Sequence, residues 1–298
     1  MRILLFMLTN AAVLLLISIV FHLLGIGGYL QARGVPISLD SLLISSAVIG
    51  MSGSFISLMM SKWMAKQSMG VHVIDRPSNQ TEAWLLDTVA HQSRSLGLGM
   101  PEVGIFQAPE PNAFATGMSR NDALVAVSTG LLERMSPEEV EAVLGHEMSH
   151  VANGDMVTMG LLQGVVNTFV YFLASIAGYL VDRVLLRSGS NDDRSYGYGP
   201  GYYITQMLAQ LVLSVLATMI VMWFSRHREF KADEGGAKLA GTGKMINALK
   251  ALQRAQEPQD LPGELAAFGI SGGGSGFSRL FLSHPPLEER IRALEARR

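Results

Sequence analysis

Hydrophobic and polar positions divide this 298-residue chain into two regimes. Four windows are almost wholly apolar: Ile3 to Leu24, Ser41 to Ser61, Val157 to Val181 and Ile204 to Phe224. At about 1.5 Å per helical residue, each can cross a hydrocarbon core of about 30 Å. The first is interrupted only by Thr9, Asn10, Ser18 and His22. It is long for a cleaved leader and no A-x-A site follows, so it reads as an uncleaved span. The second is rich in Ser and Gly and runs into Lys62, Trp63 and Lys66, an interfacial signature. The third and fourth contain Gln163, Asn167, Gln206 and Gln210. Such groups need a partner helix or a wet cavity. Buried soluble-core helices compete as a reading of these two, and their length favours spans or deep insertion.

Elsewhere the pattern is that of a soluble domain. Trp84 to Gly97 has helical spacing of its apolar residues, and Glu102 to Pro109 reads as a short strand. Asn112 to Gly130 reads as two strands around the turn Ser119–Asp122. Ser188 to Tyr203 reads as a polar loop, and Arg226 to Ala255 as helix weakened by glycines between Gly235 and Gly243. Gly269 to Phe277 is a flexible-loop composition, and the chain ends in a short helix after Pro285 and Pro286. The expected organisation is two spans in 1–61, a first domain segment in 62–156, two further spans in 157–224, and a second domain segment in 225–298. The fold class is α+β: a mostly helical domain with a small β-sheet, plus about four transmembrane helices.

Charge and cysteine content narrow the chemistry. The net charge is −2 and there is no basic block, so nothing argues for a nucleic-acid partner. The chain has no cysteine, which excludes disulfides, thiolate metal sites and cysteine nucleophiles. Any metal must be held by His and carboxylate.

One stretch carries that chemistry. Ser136, Pro137 and Glu139 form a helix start with a capping box, and the helix runs on through His146, Glu147 and His150. His146 and His150 are four residues apart, so both imidazoles leave one face and can share a Zn²⁺ ion at about 2.0–2.1 Å. Glu147, beside a ligand, is positioned to act as general base on a water. H-E-x-x-H alone also arises by chance. The extended form with a third histidine fails, because Asn153 and Met156 stand where Gly and His are required. A glutamate about twenty residues downstream would fall inside the third window. If windows three and four both cross the membrane, the first acid after the return is Glu229, expected as third ligand. Asp233, one turn on, is expected to orient a ligand histidine. His227 is the weaker rival, being turned away from that face. Lys62, Lys66, Arg226, Arg228 and Lys231 mark this side as cytoplasmic, against Arg183, Arg187 and Arg194 on the other.

The motifs HEMSH, SRHREFKAD, PNAFATG and SHPPLEERI, in this order around the four windows, resemble those of the HtpX-type membrane heat-shock zinc proteases, relatives of the CAAX prenyl endopeptidases. The resemblance implies a zincin-like domain with one Zn²⁺ per chain on His146, His150 and Glu229, and Glu147 as base. It implies that Asn112, Ala113, Phe114 and Ala115 lie beside an extended substrate, with Asn112 touching its main chain. It implies that His284 and Arg290 close over the site and stabilise developing negative charge. From the residues alone, Ser283 or His284 would be a helix cap and Arg290 a surface charge. The resemblance further implies a multi-pass protein of the bacterial inner membrane, cutting damaged or unfolded membrane polypeptides. A transporter or channel with a regulatory zinc site is the competing class, though no charged residue lies within any window. An inactive, zinc-stabilised scaffold is the third.

Overall fold

The computed structural model describes residues 38–185, 199–256 and 284–297, with isolated positions between 15 and 28. The first apolar window and the Gly269–Phe277 loop therefore lie outside the described residues, apart from those isolated positions. Among the described residues, three helices are long and apolar enough to cross a membrane: α1 (Leu39–Met69), α5 (Asp155–Leu180, continued by a π turn to Leu185) and α6 (Pro200–Ala240).

The remaining elements are β1 (His72–Val73), α2 (Gln80–Leu96), β2 (Glu102–Phe106), β3 (Ala113–Ser119), β4 (Asp122–Ser128), α3 (Thr129–Arg134), α4 (Pro137–Asn153), α7 (Thr242–Gln256) and α8 (Leu287–Glu295). The chain forms two compact units. One holds 1–57 and 158–221, the other 58–157 and 222–298.

In the first unit, small residues let the helices approach closely. A Cβ on Gly50 of α1 would come within 2.9 Å of Thr168 Cα on α5, and one on Gly164 within 2.8 Å of Met51 sulfur. Gln206 of α6 donates to Ser175 Oγ of α5, and Gln163 to Asn167, so these intramembrane amides have partners. Close contact through small residues and paired polar groups is how helices associate where lipid removes the hydrophobic drive. Outward-facing residues such as Ile44, Val48, Phe55, Leu208, Leu211 and Ile220 are apolar and exposed. Asp182 Oδ2 accepts from the Gly199 amide, placing a carboxylate at the start of α6.

The second unit is built around α4. The sheet order is β1-β2-β4-β3, with β2 and β4 parallel and the other pairs antiparallel. Ala123 to Val127 of β4 are fully buried, as befits a central strand. β3 is an edge strand, and α4 packs against it, against β4, and against α2 and α7. Leu85, Val89, Leu144, Met148, Met245 and Leu249 fill the core between these elements. α4 begins with the full capping box: Ser136 Oγ accepts from the Glu139 amide and Glu139 Oε2 from the Ser136 amide. It ends at Gly154, whose left-handed φ of 67° lets its amide reach the His150 and Val151 carbonyls.

Several boundaries differ from those read in the sequence. α2 starts at Gln80, because Asn79 caps it through the Glu82 amide. α6 starts at Pro200, inside the expected loop. It also continues as one helix through Gly235 and Gly236 and ends before Gly241, whose φ of 104° breaks it. The two glycines are there for proximity. A Cβ on Gly235 would sit 2.7 Å from Ser149 Cβ, and one on Gly236 would sit 3.0 Å from the His146 amide nitrogen. Without side chains at these positions, α6 lies directly against the histidine-bearing turn of α4. Gly235→Ala is therefore expected to destabilise the protein by about 1–3 kcal/mol through overpacking. Gly53→Ala, at an exposed α1 site with open space around it, should be neutral or slightly stabilising. Denaturant unfolding of both variants in detergent checks the contrast.

Candidate active site

His146 and His150 project from α4 toward Glu229 of α6. Glu229 lies on the turn of α6 just before Asp233, Gly235 and Gly236, so the close helix approach carries its carboxylate to the imidazoles. His150 Nε2 is 3.1 Å from His146 Nε2 and 3.3 Å from Glu229 Oε1, and His146 Nε2 is 3.5 Å from Glu229 Oε2. One ligand atom from each of the three residues falls within 4.8 Å of the others. Glu229 is 3% exposed, and His146, Asp233 and Arg290 beside it are also buried.

The far side of each imidazole explains its orientation. His146 Nδ1 is 2.9 Å from Asp233 Oδ1, and His150 Nδ1 is 2.6 Å from Asp155 Oδ2. A carboxylate on Nδ1 holds the proton there, so both Nε2 lone pairs face inward. Two lone pairs and a carboxylate thus converge on one point. Glu229 Oε2 has ionic neighbours but no aligned hydrogen bond, although it is buried. Such a set repels itself unless a cation lies between its members. His and carboxylate donors suit a borderline divalent ion. The residues present therefore fit a metal ion.

Electrostatics agree with this reading. Burial works against a charge on His146, but Asp233 and Glu229 outweigh it and raise the imidazole above its ordinary value. The same balance, with Glu229 opposing burial, raises His150. Without a metal the site thus attracts protons, and a metal competes with them for the same lone pairs. Burial pushes the Glu147 carboxyl above the usual carboxylate range, opposed in part by the two imidazoles. A carboxyl raised in this way is a better proton acceptor than an exposed one.

Arg290 of α8 is 6% exposed and not a surface charge. Its Nε and Nη2 donate to Asp233 at 2.8 and 2.6 Å, and its Nη1 is 3.3 Å from Glu229 Oε2. His284 does not cap α8, which begins after Pro286 with no side-chain cap. Its Nδ1 instead lies 2.7 Å from Glu229 Oε2, with the ring 62% exposed. His227, turned away, donates from Nδ1 to the Trp223 carbonyl at 3.0 Å, an i to i−4 contact on its own helix.

A cleft of ≈ 390 Å³ opens beside these groups. His146, Glu147, His284 and Arg290 line one part, Pro111, Asn112 and Ala113 another, and Leu131, Val143, Met245, Leu249 and Leu252 form an apolar wall. The main chain of Asn112 is committed to β4: its amide donates to Ser128 Oγ and its carbonyl accepts from the Ser128 amide. In the antiparallel alternation, the main-chain groups of Ala113 and Ala115 then point away from β4, to the outer edge of β3. The sequence expectation placed Asn112, Ala113, Phe114 and Ala115 together beside an extended substrate, and the alternation now distinguishes among them. Sequence reasoning overlooked Asp155 and Arg228, although Asp155 stands five residues after His150.

The comparisons agree with the geometry. The peptidase family M48 model matches residues 79–298, and the chain belongs to this family of metallopeptidases. Protease HtpX of Thioalkalivibrio sulfidiphilus is 59% identical over 99% of this chain and 98% of its own. The Protease HtpX homolog of Nitrosomonas europaea is 57% identical over 99% of each chain. Among solved structures, S. mikatae Ste24p aligns with a TM-score of 0.60 at 17% identity, over 95% of this chain and 67% of that one, a likeness of fold.

Metal should stabilise the folded site. Adding Zn²⁺ is expected to raise the melting temperature of the chelator-treated protein, as binding to the native state alone requires. His146→Ala and Glu229→Ala should abolish the rise, read by differential scanning fluorimetry in detergent.

Proposed function

We propose that the chain is a membrane-embedded zinc endopeptidase in which His146, His150 and Glu229 hold the ion and Glu147 is the general base. The convergence of two inward lone pairs and one carboxylate beside a buried, raised Glu147 carries this reading. Zinc held by these three residues would supply Lewis-acid polarisation and lower the pKa of the attacking water. Glu147 accepts the proton of the attacking water and delivers it to the leaving amine nitrogen. His284, exposed at the cleft, donates toward the developing oxyanion. Arg290 acts from beneath, holding Asp233 and through it His146.

The substrate lies extended along β3. The outward main-chain groups of Ala113 and Ala115 bind its backbone, and the side chain of Asn112 meets it at the cleft mouth. Strand addition holds a chain without reading its sequence, which suits damaged or misfolded membrane proteins as targets. The apolar wall from Leu131 to Leu252 favours a large apolar residue next to the scissile bond. The domain is expected to be one zincin-like body in two pieces, 62–156 and 225–298, separated by the membrane hairpin 157–224 and preceded by spans in 1–61. The two compact units support that division. Lys62, Lys66, Arg226, Arg228 and Lys231 favour the cytoplasmic side of a bacterial inner membrane. A transporter reading has less support, since it gives Glu147 no role.

Two measurements test this. Glu147→Gln should bind one zinc per chain yet cleave casein about 10²–10⁴-fold more slowly; normal cleavage would remove Glu147 as the base. Ala115→Pro deletes an outward amide while sparing the β4 ladder, a change an edge strand tolerates. It should raise KM with zinc content unchanged, and an unaltered KM would argue against strand addition.

A further inference from the structure

The two histidines have matching supports that are anchored differently. His146 leans on Asp233, and Asp233 on Arg290, inside the core. His150 leans on Asp155, and Asp155 Oδ1 pairs with Arg228 Nη2. Asp155 is the first residue of α5 and is 6% exposed. Arg228 sits on α6 one residue before Glu229, with its guanidinium 5.5 Å from the Phe224 ring centroid. The left-handed turn at Gly154 brings Asp155 back under His150 within five residues. All of these groups belong to the unit that contains the site.

We infer that Asp155 and Arg228 are a positioning pair that fixes the His150 imidazole and ties metal affinity to the junction between the start of α5 and the part of α6 just past its apolar stretch. The inference rests on the reading of His150 as a metal ligand. Asp155 holds the His150 proton on Nδ1 and aims Nε2 inward. Arg228 fixes the carboxylate in turn, by charge and by the geometry of its fork. Because Asp155 opens α5 and Arg228 lies just past the apolar stretch of α6, separation of those two places would release the imidazole. The His146 support has no such dependence.

The test uses the full chain in detergent with Glu147→Gln throughout, so that binding is read without turnover. Zn²⁺ affinity is measured by competition with a chromophoric chelator, and Co²⁺ loading by its visible spectrum. Asp155→Ala is expected to lose about 10–100-fold in affinity and to alter the Co²⁺ bands, as loss of a partner behind a ligand histidine does. Asp155→Asn, which keeps an oxygen acceptor, should lose less. Arg228→Gln should also weaken binding, and Arg228→Lys should restore part of the loss. The double variant Asp155→Ala/Arg228→Gln should be no weaker than Asp155→Ala alone, because the two act in series. Melting with chelator present should be unchanged in Asp155→Asn and Arg228→Lys, which separates positioning from general stability. Wild-type affinity in Asp155→Ala, additive losses in the double variant, or equal losses of metal-free stability in the conservative variants would overturn the inference. If His146→Ala abolishes binding while Asp155→Ala does not weaken it, the metal site stands and only the positioning role fails. If the parent protein binds no metal, both fail.

Discussion

Two imidazole lone pairs and a carboxylate, buried and aimed at one point, repel one another unless a cation joins them. Most of the second unit serves to hold that arrangement. The capping box at Ser136 and Glu139 starts α4, the core of Leu144 and Met148 fixes its rotation, and Gly154 ends it one turn after the last histidine. Each imidazole then needs an acceptor behind it, and each acceptor needs a cation of its own. Arg290 and Arg228 meet that need. Buried charge here comes in alternating layers, which lets seven ionisable groups, His146, His150, Glu229, Asp233, Asp155, Arg290 and Arg228, share one sheltered site.

The glycine pair on α6 is the steric counterpart of those layers. A side chain at Gly235 or Gly236 would meet the backbone and side chains of the His146–Ser149 turn. Asp233 and Glu229 stand about one and two turns earlier on the same helix, so their reach depends on that close contact. The loss of helix propensity at two glycines, about 1 kcal/mol each, is the cost of bringing carboxylates within bonding distance of imidazoles.

Much of this was legible in the residues. The last three apolar windows, the capping box and the i, i+4 histidines are local patterns, and local patterns survive folding. Glu229 and Asp233 could be nominated because hydrophobic windows three and four must return the chain to its starting side. Asp155 could not be weighed in the same way. In the sequence it is one acid before an apolar run, and its meaning depends on Arg228, seventy-three residues away. Gly235 and Gly236 were misread for a related reason: propensity registers a glycine's cost, while its use lies in a neighbour that propensity does not see. Arg290 looked like a surface charge on a short amphipathic helix, and the identity of its partner, Asp233, was decided by tertiary packing. β1, two residues long, has too little sequence to show any period.

The division of the second unit into 58–157 and 222–298 also sets an order in time. A chain is made from its N-terminus, and Glu229 is added seventy-nine residues after His150. At about 5–20 residues per second, that is a delay of roughly 4–16 s during which both histidines exist without their carboxylate. Throughout that interval α5 and then α6 are being delivered to the bilayer. A metal site with this connectivity stays incomplete until the hairpin of α5 and α6 has been made.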